Sequence, residues 1–521
     1  MNKISNLIYS VLLLLCITSC KRTLETPVIT LVHTNDTHSQ IDPLIQDGVA
    51  KGGLVERVAI LEAMRDSFPN LIYLDGGDMV QGSPYFNLWK GKVEMEGMNL
   101  MKLTAATFGN HEFDNGLNYL DTMLTVAEFP ILSCNYDCTG TPVEKHVKRT
   151  MIIENQGVRI GLTGITCNPY GLIADRNWNG IVYHDPLESA NRAAAELKAQ
   201  GCDIVILLSH EGMRRSEEEG DKLIAAQSSD IDIIIGGHTH TNIENGVEIK
   251  NREGRPVYIT QTGGKANNMG RIDLQMKREG KRSDGSDKYV LNSIKISKIY
   301  ADRLNLEGRG KKAEAIIKPY AEQISEKMQK ILGYTDVELT RNYAETTLGN
   351  FTTDALRDMY EIYYGRKADM ALMNVGGMRN DIAKGAITLG DIYKVYPFEN
   401  EICFLEIKGK YIEQLLANRF LNFSGATAEV HSSKDGSKFS MTNIHIDGKP
   451  IEKEKTYIVA TIDYLADGGD GMKTLGQADR RITPGVTIRE AIIAYIQSLT
   501  ASGQHINTQI DGRLRLATEQ H

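Results

Sequence analysis

Three things are scarce in this chain of 521 residues, and each scarcity removes a class of protein. Cysteine is one: seven in the whole chain exclude a disulfide-built scaffold. Surplus positive charge is another. Lys+Arg 59 against Asp+Glu 67 leaves a net −8, so no general basic surface neutralises a nucleic-acid backbone. Long apolar runs are the third: after the first twenty residues, none approaches the roughly 18 that a membrane helix requires. The chain also lacks internal repeats and low-complexity tracts. If it handles phosphates, it must do so locally, with a metal or a few placed arginines.

What is present is ordinary globular composition, 41% hydrophobic and 24% charged. At roughly 150 residues per domain, the length predicts two to four domains. The first nineteen residues stand apart as a signal peptide. Lys3 is the only charge before Lys21, and Val11–Ile17 is an apolar core too short to span a bilayer. Ile17-Thr18-Ser19-Cys20 resembles a bacterial lipobox, which implies lipidation at Cys20, a short tether over 20–26 and membrane attachment through lipid alone. Lys21-Arg22 follow with no acidic run, which favours an exported protein facing the periplasm. Of the remaining cysteines, Cys134 and Cys138 are close enough for a local disulfide, with buried free thiols the alternative.

From about residue 27 to 300, short apolar runs alternate with helix-like stretches. Pro27–Val32, Leu71–Leu74, Arg159–Leu162, Asp203–Leu208 and Asp232–Ile235 read as buried strands, and Leu187–Ala199 as a helix between them. This is an α/β pattern. The polar, glycine-bearing stretch from Met276 to Lys288 reads as a solvated hairpin loop. Ile316, Tyr320, Ile324, Met328 and Ile331 form one helical stripe, and Pro319 is expected to start or kink that helix. A second α/β region follows, with strand-like Met370–Met373, Ile402–Ile407 and Tyr457–Ala460. The expected domains are therefore 27–304, a linker helix within 305–335, and 336–517.

Chemistry-bearing residues cluster just after the N-terminal strands. In order they are Asp36-Thr-His38, Asp75-Gly-Gly-Asp78, Gly109-Asn110-His111-Glu112-Phe-Asp114, His210 and Gly237-His238-Thr-His240. Ligands of open α/β sheets bind beyond the carboxyl ends of strands, and the neighbouring glycines let the backbone turn tightly there. Five of the twelve histidines fall in these places. Beside Asp36, Asp78 and Asn110 they form a nitrogen- and oxygen-rich donor set suited to divalent Mn, Zn, Fe, Mg or Co, without the cysteines of a structural zinc site.

These motifs in this order resemble the calcineurin-like dinuclear metallophosphatases, and the form Gly-Asn-His-Glu-Phe-Asp-Asn-Gly resembles their 5'-nucleotidase branch. The resemblance covers nearly the whole mature chain. It implies a four-layer α/β sandwich followed by a smaller α/β substrate-binding domain. It implies one metal on Asp36, His38 and His240, another on Asn110, His210 and His238, and Asp78 bridging them. His111 would contact the phosphoryl group, oriented by Asp114, for which helix capping is the plainer alternative.

In the second half, Asn374-Val-Gly-Gly-Met-Arg379 resembles the family's Asn-Gly-Gly-Gly-Ile-Arg. That implies Arg379 on substrate phosphate and Asn374 on the base. Phe398 and Tyr464 would sandwich the base, and Asp470 would hold the ribose. Three departures stand out. Tyr464 replaces the Phe usual in 5'-nucleotidases and matches the cyclic-phosphodiesterase/3'-nucleotidase relatives. Ala344 sits where some members place a further phosphate-binding arginine, with Arg341 near but out of register. Val375 replaces a glycine.

The implied activity is metal-dependent hydrolysis of nucleoside 5'-monophosphates, with a nucleotide as the small-molecule partner and no nucleic-acid polymer. The rivals are a 2',3'-cyclic phosphodiesterase/3'-nucleotidase or nucleotide-sugar hydrolase on the same scaffold, and a catalytically decayed surface-binding protein. Rotation of the two domains about the linker helix is expected to carry substrate to the metals.

Overall fold

The computed structural model describes residues 26–516, apart from 47–48, 171, 174, 214–218, 267, 343–344, 399, 418–419 and 433–438. The signal segment, Cys20 and Ala344 therefore lie outside the described residues. No helix among the described residues is long and apolar enough to cross a membrane.

The first domain is built on two sheets. One has seven strands, in the order Asp287–Ile299, Met269–Lys281, Val28–Thr34, Ile72–Asp75, Ala105–Thr107, Ile131–Leu132 and Val147–Lys148. The other has six, in the order Val247–Lys250, Pro256–Thr260, Ile233–Gly236, Ile204–His210, Val158–Thr166 and Thr150–Asn155. Alternate side chains of a strand point to opposite faces, and here both faces are buried. Ile29, Leu31, Ile72 and Leu74 meet Ile160, Leu162, Ile204 and Ile206 in the core between the sheets. Val32 and Tyr73 point the other way, into a layer of helices with Leu54, Val58 and Met95. Val205 and Leu207 face a second helical layer through Ala190, Ala194 and Leu197. Helix, sheet, sheet, helix gives the four layers, and burial on both faces explains the unbroken apolar runs.

Local signals set the helix ends. Asp185 caps helix Pro186–Ala199 by accepting from the Glu188 N–H, with proline at the first turn. In the second domain Thr346 caps helix Thr347–Tyr364 in the same way, and Gly365 ends it at φ 69°. That helix covers a five-stranded sheet in the order Asn422–Ser424, Met370–Met373, Thr456–Ile462, Ile402–Lys408 and Arg480–Ile482. A single core, including Leu356, Leu372, Phe404 and Val459, holds this domain together.

Two sequence expectations change, and the alternative left open for the cysteines resolves to free thiols. The polar stretch at 276–288 is mostly strand: Met269–Lys281 and Asp287–Ile299 pair as one long hairpin, and only 282–286 turns. Its charges serve cross-strand pairs such as Arg278–Asp287 and Lys288–Glu279. The linker helix is Lys311–Met328, and Pro319 lies inside it rather than at its start. The buried stripe of that helix runs through Ala313, Ile317 and Met328, with Tyr320 and Ile324 half-buried, while Ile331 belongs to the next strand and is exposed. The helix packs on the first domain and reaches helix Leu389–Val395 of the second. Cys134 and Cys138 are both free thiols, and burial pushes them up to about 11 and about 12.

Candidate metal centre and substrate cavity

The carboxyl ends of the parallel strands converge, and the turns there are tight. Asp36, His38, Asp78, His238 and His240 all sit at positive φ, between 47° and 67°. Left-handed backbone costs a non-glycine residue roughly 1–2 kcal/mol and persists only where the surroundings enforce it. Here they do. The Asp36 N–H donates to Gly77 O at 2.8 Å and the His38 N–H to Asp78 O at 3.0 Å. Gly109 is required by contact, because a Cβ there would lie 2.1 Å from Asp78 Oδ1.

These turns bring seven potential ligands together. The donor atoms of Asp36, His38 and His240 lie within 4.8 Å of one another, as do those of Asp36, Asp78 and His210. Asp78 reaches both sides, 3.1 Å from His210 Nε2 and 3.9 Å from His38 Nε2. His238 Nδ1 faces Asn110 Oδ1 at 3.0 Å. Sequence reasoning named all seven, and the structure assembles all seven. His33, at the head of the first motif, is excluded from the cluster. It is fully buried beside Thr260, and burial lowers it to about 3, so it stays neutral.

The donor set fits divalent cations. The Nε2 atoms of His38 and His240 face each other at 2.9 Å. His210 donates through Nδ1 to Gly76 O at 2.7 Å, which leaves Nε2 as the inward-facing nitrogen. That Nε2 is fully buried and has no well-aligned hydrogen bond. Burial works against charge on His210, but Asp78 and Asp36 overcome it and raise the group to about 10. Burial likewise pushes Asp78 up, yet His210 and His111 hold it well below the usual carboxylate range. A proton and a metal cation compete for such a nitrogen.

His111 opens a short 3-10 turn, His111–Phe113, that places Asp114 on the same face. Its Nδ1 lies 3.0 and 3.2 Å from the two Asp114 oxygens, which leaves Nε2 for the cavity. Burial lowers the imidazole, but Asp114 and then Asp78 outweigh that and lift it to about 9. The dyad geometry is therefore present, and the Asp114 side chain is spent on His111.

The second domain closes over these loops, and both line one cavity of about 280 Å³. From the first domain it includes His38, Asp78, Asn110, His111, Asp114, His238 and His240; from the second, Asn374, Arg379, Phe398, Tyr464 and Asp470. Asn374 donates to Asp470 at 2.7 Å, and Tyr464 OH donates to the other Asp470 oxygen at 2.9 Å. The Arg379 guanidinium stands 5.1 Å over the Phe398 ring. Tyr396, by contrast, is core, fully buried with its hydroxyl on Thr352. Val375 is buried in the second-domain core and its backbone is not at positive φ, so the position does not need glycine.

Sequence reasoning missed the cavity wall formed by Leu172, Ile173, Arg176 and Asn177, and also Asn400 and Asp463. No local pattern marks them, because Arg176 acquires its meaning from Asp463, 287 positions away. Glu112 belongs to the Gly-Asn-His-Glu motif, but the sequence alone assigns it no task.

The sequence profile of the calcineurin-like phosphoesterase family matches residues 29–242, and that of the 5'-nucleotidase C-terminal domain matches residues 329–477. The chain is similar to a trifunctional nucleotide phosphoesterase protein of Bacillus subtilis (strain 168), at 28% identity over 94% of this chain and 35% of that protein. It thus spans about a third of that relative's length. It is 26% identical to a 5'-nucleotidase of Vibrio vulnificus (strain CMCP6) over 90% of each chain. The crystal structure of a 5'-nucleotidase precursor from Thermus thermophilus matches with a TM-score of 0.78 and 28% identity, covering 95% of this chain and 100% of that one.

Proposed function

The chain belongs to the 5'-nucleotidase family of calcineurin-like phosphoesterases, and we propose that it hydrolyses nucleoside 5'-monophosphates to nucleoside and phosphate in the cavity between its two domains. The observation that carries this reading is the shared cavity: metal-donor loops on one wall, with an arginine, two aromatic rings and a carboxylate on the other.

The family uses a dinuclear divalent metal centre. In this chain Asp36, His38 and His240 would hold one cation and Asn110, His210 and His238 the other, with Asp78 shared. Two such cations supply charge to the phosphoryl oxygens and lower the pKa of an attacking water. The protein's own groups do the rest. Arg379 binds the phosphate, its fork-shaped guanidinium matching two oxygens at once. His111, kept protonated by Asp114, donates from Nε2 to the phosphoryl group or to the departing ribose oxygen. Phe398 and Tyr464 stack on the base, while Asn374 and Asp470 exchange their mutual hydrogen bond for contacts to base and ribose.

The test is phosphate release from AMP, 3'-AMP, 2',3'-cyclic AMP and UDP-glucose, with and without Mn²⁺, using His210→Ala as the control for contaminating activity. Metal-dependent turnover led by AMP supports the reading. Turnover led by the 3' or cyclic substrates would transfer it to the phosphodiesterase/3'-nucleotidase branch that Tyr464 resembles. A chain that binds no metal would be a decayed binding protein. Attachment to a membrane through lipid on Cys20 is part of the proposal; replacing Cys20 with Ala should release active enzyme from the membrane fraction.

A further inference from the structure

Glu112 has no part in the chemistry above, yet its carboxylate lies under the metal loops. The residue is 3% exposed. Its Oε2 accepts from the Gly109 N–H at 2.6 Å and the Asp78 N–H at 3.1 Å, and its Oε1 accepts from the Met79 N–H at 2.8 Å. These donors belong to two different strand-end turns. Asp78 stands at φ 55° after Gly77 at φ 90°, a backbone path that presents two successive N–H groups to the one carboxylate. The two turns meet without room for a side chain between them, since a Cβ on Gly109 would fall 2.1 Å from Asp78 Oδ1. One carboxyl group thus holds three backbone donors from the two turns at once.

We propose that Glu112 is a positioning residue for the second metal subsite: by clamping the Asp78 turn to the Gly109–Asn110 turn, it sets the separation at which Asp78 and Asn110 offer their oxygens to one cation. The proposal rests on the metal assignment made above but not on the nucleotide. Asp36, His38 and His240 are not bonded to Glu112, so the first subsite depends on it only through Asp78. Glutamine in its place has one acceptor oxygen for three donors and sets its own amide N–H groups against at least one of them.

The experiment is Mn²⁺ titration of the metal-stripped chain, without substrate, by calorimetry and by electron paramagnetic resonance, for wild type, Glu112→Gln and Glu112→Asp. Wild type is expected to take two Mn²⁺ and to show the signal of an exchange-coupled pair. Glu112→Gln is expected to keep the first Mn²⁺ within a few-fold of wild type. Its second should weaken by about 10–100-fold, the usual effect of removing an outer partner of a ligand, and give an uncoupled signal at two equivalents. Two sites of wild-type affinity in Glu112→Gln would overturn the proposal, as would equal weakening of both. If Glu112→Gln does not fold, Glu112→Asp, which keeps the charge but shortens the reach, decides by the same criteria. A wild-type chain that binds fewer than two Mn²⁺ would sink the metal assignment itself, a separate failure.

Discussion

The imidazole of His111 lies against the ring of Phe398, with centroids 5.7 Å apart and planes 27° from parallel. One residue belongs to the strand-end loops of the first domain and the other to the second domain, so the contact ties the two walls of the cavity together. Offset stacking of this kind contributes about 0.5–1.5 kcal/mol beyond the area it buries. It also fixes which domain arrangement the structure represents, one in which both sets of side chains already share a single cavity.

Phe398→Ala separates recognition of the base from the chemistry. Base–aromatic stacking is worth about 1–3 kcal/mol, so KM for AMP should rise about 5–100-fold. Steady-state kinetics with AMP and with ribose 5-phosphate, which has no base, make the comparison. The second substrate should barely respond. Equal losses on both substrates would show that Phe398 acts through His111 or Arg379 instead, both of which it touches.

His111→Ala should lower kcat for AMP by about 10²–10⁴, the range for a positioned proton donor. A p-nitrophenyl phosphate substrate, whose leaving group needs no proton, should lose far less. Asp114→Asn keeps a ring partner but not the charge that favours the protonated imidazole, and is expected to fall between wild type and His111→Ala. The same large loss on both substrates would move His111 from leaving-group protonation to phosphoryl binding.

A pH prediction comes from Glu94, buried in helix Lys92–Leu100 beneath the first metal loop. Burial pushes its carboxyl up to about 7, although the Ser39 hydroxyl donates to it and Arg57 lies near. An unfolded glutamate titrates near 4.3–4.5. Between those two values the folded chain binds more protons than the unfolded one, so stability falls as pH rises and levels off above the folded value. Glu94→Gln should remove that part of the slope, on the order of 2 kcal/mol between pH 5 and 8. Urea unfolding of both chains at the two pH values measures it, and parallel pH profiles would refute it.

Most of the scaffold could be read from the chain because buried parallel strands leave unbroken apolar runs. Ile204–His210 and Ile233–Gly236 needed no partner to be recognised. The candidate metal donors were equally legible, since each lies at or within a few residues of the end of a strand, and Asp78, Asn110 and His238 sit beside glycines. Other features depended on what packs against them. The hairpin Met269–Ile299 hid behind polar residues because the far end of its first strand, Lys277–Lys281, is largely exposed, and the buried positions facing it include the charged Asp287. The helical stripe was displaced because the first domain, not the second, supplies most of its cover. Arg176 and the wall at 172–177 exist as site residues only once two domains meet.

That meeting leads to the last prediction. Arg176 donates to Asp463 at 2.5 Å and lies 3.9 Å from Asp467, while Asn87 donates to Pro397 O at 2.8 Å across the same domain interface. Asp463 is buried and also accepts from the Tyr464 N–H, so the ion pair helps seat Tyr464, proposed above to stack on the base. The Arg176 side chain is 56% exposed but Asp463 is buried, so removing Arg176 leaves the Asp463 carboxylate short of a partner. Removing it should therefore cost about 1–3 kcal/mol of stability, the range for a buried acceptor that loses its partner. The balance between open and closed arrangements should change too, because a factor of about five in that equilibrium needs only about 1 kcal/mol. Arg176→Ala is expected to raise KM for AMP two- to five-fold and to speed product release where release limits turnover. Small-angle scattering of the ligand-free chain should show a wider domain separation than wild type. An unchanged scattering profile with unchanged KM would mean that Asn87–Pro397 and His111–Phe398 hold the closed form without it.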